Sequence, residues 1–129
     1  MSTFDSLTFG EPSEIQAESG SLIVLVPKNI TDARQLLVEL NKRLSFPGYF
    51  GFNWNALSDC MRDFHWVSQR HIFLVHEDLP ELSNADLMQY IEVLDESVLS
   101  WKTKKNHSLV VVFPESCRRR IEQVADEIE

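Results

Sequence analysis

The 129-residue chain is 43% hydrophobic and 25% charged, and it carries a net charge of −8 with a pI near 4.9. This length suits one domain over residues 1–129, with a core that closes without staples. The acidity argues against nucleic acid as a direct partner, since phosphate binding rests on clustered Lys and Arg, and it favours a basic protein instead; solubility alone is the plainer reason for such a charge.

At the N-terminus, MSTFDSLTFGEPSE has neither a basic segment nor an apolar core, so no secretory signal is expected. Within it, SLTFG reads as an extra edge strand or as an arm. SLIVLVP (21–27) is a continuous apolar run closed by proline, which predicts a strand buried on both faces. Thr31, alone or with Ile30, then opens a helix. Leu36, Leu37, Leu40 and Leu44 recur at helical spacing, with Asp32 in the first turn and Lys42 and Arg43 in the last. Pro47, Gly48 and Gly51 break that pattern. Asn53 is placed to cap a second helix, on which Trp54, Leu57, Met61 and Phe64 repeat every three or four residues.

HIFLVH (71–76) predicts a second buried strand. Ser83 caps a long helix through Leu87, Ile91, Leu94, Val98 and Trp101. HSLVVVFP (107–114) predicts a third strand, and ESCRRRIEQVADEIE an amphipathic final helix. The apolar runs Leu22 to Pro27 and Leu109 to Pro114 are too short to span a membrane. Cys60 and Cys117 lie far apart with no CxxC spacing and read as buried or idle thiols of a cytoplasmic protein. Strands separated by helices predict an α/β protein with a small three-stranded parallel sheet, its core about residues 21–113, an N-terminal arm and a C-terminal helical extension.

The segment PGYFGFNWNALSDC (47–60) concentrates the chemistry. On a wheel of residues 53–65, Trp54, Leu57, Cys60, Met61 and Phe64 share the inward face. Asn55, Ser58, Asp59, Arg62 and Asp63 share the outward one. An exposed carboxylate beside Tyr49, Phe50 and Phe52 is a sound basis for a protein-binding hot spot, in which the rings supply rigid area and the charge supplies orientation. The bland alternative is that these rings plug the sheet edge and Asp59 is merely solvated.

Pro47, Tyr49, Phe50, Gly51, Asn53, Ala56, Leu57, Asp59 and Cys60 resemble the signature loop and second helix of the barstar family of intracellular ribonuclease inhibitors. Element order over Ser21 to Phe113 is similar as well. The resemblance implies a barstar-like fold and an inhibitor that plugs a nuclease active site. On that reading Asp59 takes the place of a substrate phosphate and Tyr49 packs against the enzyme's histidine loop. Gly51 allows close approach or a positive φ, and Asn53 fixes the aim of the carboxylate. Glu96 matches a family glutamate by counting along YIEVLDES. Asn55 and Ser58 depart from the family's aspartate and tryptophan, which points to a different target, weaker binding, or a signature kept for the fold alone.

Little favours an enzyme. His65, His71, His76 and His107 have no metal-ligand spacing, and there is no GxSxG motif or phosphate-cradling glycine loop, so no cofactor or metal is expected. Asp59 and Asp63 are one turn apart, an arrangement that is usually only solvated. Arg118, Arg119 and Arg120, set among Glu115, Glu122 and Asp126, read as a salt-bridged helix face. The leading expectation is therefore an immunity or antitoxin protein, monomeric alone and bound 1:1 to a basic ribonuclease or nuclease toxin. The alternative is a regulatory or scaffolding module that keeps the fold without inhibiting a nuclease.

Overall fold

The computed structural model describes residues 4–128. Its elements run β1 (Thr8–Phe9), β2 (Leu22–Val26), α1 (Ala33–Leu44), α2 (Trp54–Met61), β3 (His71–His76), α3 (Asn84–Lys104), β4 (Ser108–Phe113) and α4 (Arg118–Ile128), with 3-10 turns at Pro12–Glu14 and Glu115–Cys117. All strand pairings are parallel, in the order β1-β4-β3-β2. The sheet therefore has four strands and not the three expected. SLTFG is an edge strand, with Thr8 opposite Val112 and Phe9 opposite Phe113.

The register explains which face is buried. Val24, Leu74 and Val111 lie side by side, as do Ile72 and Leu109, and all five sit in the core. Their neighbours in the alternate register, Ile23, Phe73 and Val110, are only partly covered. Ile23 and Leu25 are 55% and 39% exposed. β2 is thus an edge strand buried on one face, and the both-faces reading of SLIVLVP is corrected. A continuous apolar run carries no period to distinguish the two cases.

From β2 to β3 to β4 the chain steps one way across the sheet, through helices. From β1 to β2 it steps back the other way, and a right-handed connection then falls on the opposite face. Gln16, Glu18 and Ser21 of that connection line a recess with His71, Phe73, Ser108 and Val110, all on this second face.

Helix ends follow their chemistry. Asp32 is the N-cap of α1, one residue later than the sequence suggested, because its carboxylate takes the Gln35 N–H at 2.7 Å. Ser45 closes α1 in the left-handed conformation (φ 54), and Lys105 closes α3 likewise (φ 68). Ser83 caps α3 by accepting the Asp86 N–H at 3.1 Å. No helix among the described residues is long and apolar enough to cross a membrane.

Candidate functional site

The loop before α2 hangs on buried aromatic rings. Phe50 is in the core, its ring 4.7 Å from Phe46 and 4.9 Å from Phe52. It cannot offer that ring to a partner, and its contribution to the face is to anchor the loop. One residue upstream, Tyr49 is 68% exposed, an unusual placement for a large ring. The positive φ expected near Gly51 falls instead on Phe52 (φ 53). Gly51 serves close approach. A Cβ there would lie 3.3 Å from Asn53 Nδ2, the group that donates to the Gly51 carbonyl. Over the Phe52 ring stands the Arg34 guanidinium of α1, 4.9 Å from the centroid.

Asn53 then starts α2, its side-chain oxygen accepting the Ala56 N–H at 2.8 Å. Leu57, Cys60 and Met61 face the core. The partner helix α3 fixes both ends of α2. Near the start, Trp54 Nε1–H donates to Asp86 at 3.2 Å. Near the end, Trp101 Nε1–H donates to the Met61 carbonyl at 2.8 Å and Lys104 Nζ to the Arg62 carbonyl at 2.7 Å. The two helices run parallel, and α2 has little freedom to turn.

Asn55 and Asp59 are exposed on the outer side of α2, while Ser58 is half-buried. Arg62 and Asp63 are exposed as well but lie beyond the helix, which ends at Met61 and not at residue 65. Phe64 ends the pattern because it turns into the left-handed conformation (φ 48) and stacks on Trp101 with centroids 5.7 Å apart. That turn brings Asp63 back to its own neighbour. It accepts the His65 backbone N–H at 3.3 Å and the His65 Nδ1–H at 2.8 Å.

Electrostatics tie the pieces together. The Tyr49 hydroxyl is pushed above its ordinary value by partial loss of hydration, then by the neighbouring acidic groups Asp63, Cys60 and Asp59. Tyr49 thus feels the charges of Asp63 and Asp59 from the loop that precedes α2. Burial, followed by Asp63 and Asp59, also raises the Cys60 thiol, which leaves it protonated and unreactive. Glu96 is exposed on α3. At 100° per residue it sits about 80° round α3 from the line of Asp86 and Lys104 that touches α2.

The histidines have local explanations. His76 is fully buried, its Nδ1–H donating to the Val112 carbonyl at 2.9 Å while Tyr90 donates its hydroxyl to Nε2 at 2.6 Å. His71 pairs with Ser108 at 2.7 Å, and His107 Nδ1–H donates to the Gln69 carbonyl at 2.9 Å. Among the described residues, no group of three or more His, Cys, Asp or Glu could hold a metal ion. Sequence reasoning missed Arg34 and the Asp63–His65 pair. The D-x-H spacing was visible, but nothing in the sequence tied Arg34 to a ring eighteen positions away.

A four-stranded parallel sheet backed by helices, with a short capped helix whose outer side exposes Asn55 and Asp59, defines an α/β scaffold. Residues 21–114 match the family described as Barstar (barnase inhibitor), and the chain belongs to that family. No curated protein matches the chain. β1 and α4 both lie outside the matched region.

Proposed function

We propose that this chain is a proteinaceous inhibitor of a ribonuclease, an immunity or antitoxin protein that acts in the cytoplasm as a single domain. Tyr49, Asn55, Ser58, Asp59, Arg62 and Asp63 form the contact face, with Glu96 at its margin. Phe50, Gly51 and Asn53 hold the loop and the helix start in place. Asp59 occupies the phosphate subsite of the nuclease, where it meets cationic side chains, and Tyr49 covers the adjoining wall. One inhibitor, monomeric alone, binds one basic enzyme. The chain itself has no catalytic role.

The observation that carries this reading is the position of Asp59. It stands in the last turn of α2, a helix with no basic residue in that turn. The C-terminus of a helix is its negative end, so a carboxylate there works against local stability by roughly 0.3–1 kcal/mol. A carboxylate placed at such a cost supports a role in meeting a partner's cationic groups. Family membership supplies the partner class.

Titrating barnase, and in parallel any ribonuclease retained by the immobilised chain, against RNA cleavage tests the proposal. Stoichiometric loss of cleavage is expected. The departures at Asn55 and Ser58 favour a second reading, a scaffolding module on the same fold. Capture of a non-nuclease partner, with every ribonuclease left fully active, would support it instead.

A further inference from the structure

We propose that Arg34 is a positioning residue for the contact face, acting through Phe52; the inference rests on the ribonuclease-inhibitor reading of that face. Phe52 holds a left-handed backbone (φ 53), a conformation that an aromatic residue seldom keeps unless its surroundings fix it. Two groups do so. The buried Phe50 ring meets the Phe52 ring in an edge-type contact with centroids 4.9 Å apart, and the Arg34 guanidinium lies 4.9 Å from the Phe52 centroid. Arg34 is exposed, and among the described residues it is in no ion pair, so the ring is the partner its charge has within the fold.

Phe52 sits between the two things a partner would read. Three residues before it is Tyr49. Directly after it is Asn53, whose side chain holds the Ala56 N–H and so sets where α2 begins. A change of φ at Phe52 therefore swings the Tyr49 loop relative to the helix that carries Asp59. The Phe50 N–H bond to the Pro47 carbonyl, 3.0 Å, closes the turn that Tyr49 occupies, and it lies on the same lever. Because Arg34 belongs to α1, the clamp couples the loop to that helix.

Amide exchange on the full chain, compared for wild type, Arg34→Ala and Arg34→Lys, tests this without any partner. Losing an exposed cation–ring contact should speed exchange at Phe50 and Ala56 by about two- to fivefold. It should also shift the amide resonances of Tyr49 and Asp59, with the sheet unaffected. Arg34→Lys, which keeps a cation over the ring, should restore most of the protection. Unchanged exchange at Phe50 and Ala56 in Arg34→Ala, or a lysine variant no better than alanine, overturns the clamp. A barnase-binding arm should show an affinity loss of similar size. If exchange responds as expected while the wild-type chain leaves barnase unbound, the clamp stands and the barnase-type target is what fails.

Discussion

At the residue scale the candidate face divides into side chains that hold and side chains that reach. Tyr49 belongs to the second group, since most of its ring is already in water and the fold gains little from it. Tyr49→Ala should leave the melting temperature within a few degrees and weaken the nuclease complex by about 1–3 kcal/mol, a loss typical of an interface hot spot. A sharp fall in melting temperature with normal binding by the folded fraction would make Tyr49 a structural residue. His76 is the opposite case. Burial lowers its pKa from 6.5 to about 4, and the hydrogen bond to the Val112 carbonyl only partly offsets this. A base whose folded pKa is depressed gives stability that is complete above the unfolded pKa. That stability is lost as pH falls from about 6.5 towards 4, because the unfolded chain then binds the extra proton. The loss approaches about 3 kcal/mol. Denaturant melts across this window, on wild type and His76→Gln, isolate the contribution by difference, and equal pH slopes for the two proteins would refute it.

At the element scale, the long periodic segments were the legible ones. α1, α3 and the strands at 71–76 and 108–113 declare themselves through leucine spacing and apolar runs, and the Asn53 and Ser83 caps through residue type. What escaped depends on contacts distant in sequence. β1 has two residues and exists only because β4 offers an edge. Its N-terminal neighbours Phe4 and Leu7 reach the core from a stretch with no period to betray them. The left-handed turns at Phe52 and Phe64 likewise fall on residue types that give no local warning. Arg118 of α4 stands 4.4 Å over the Phe9 ring, so the two additions outside the family region brace each other along the β4 edge. Removing residues 1–9 should therefore cost about 3 kcal/mol or more, from the burial of Phe4 and Leu7 alone. Unfolding midpoints measure this, and a truncated chain as stable as the full one would reduce β1 to an ornament.

At the scale of the whole molecule, the chain carries a charge of −8, and the candidate face exposes the carboxylates of Asp59 and Asp63. Association with a basic enzyme should be fast at low salt and slow as ionic strength rises, because screening removes the long-range attraction. Stopped-flow rates across a salt series give the slope directly, and a flat series would contradict steering. The central claim, however, concerns one carboxylate held by a capped, doubly braced helix at the place where a phosphate would sit. It is tested most directly by the dissociation constants of wild type, Asp59→Ala and Asp59→Asn with barnase or with any ribonuclease that the immobilised chain retains. Stranding the enzyme's cationic groups should weaken both variants by about 2–5 kcal/mol, mostly through faster dissociation, while folding stability stays level or rises slightly as the carboxylate leaves the helix C-terminus. Binding by either variant as tight as that of wild type would contradict the account.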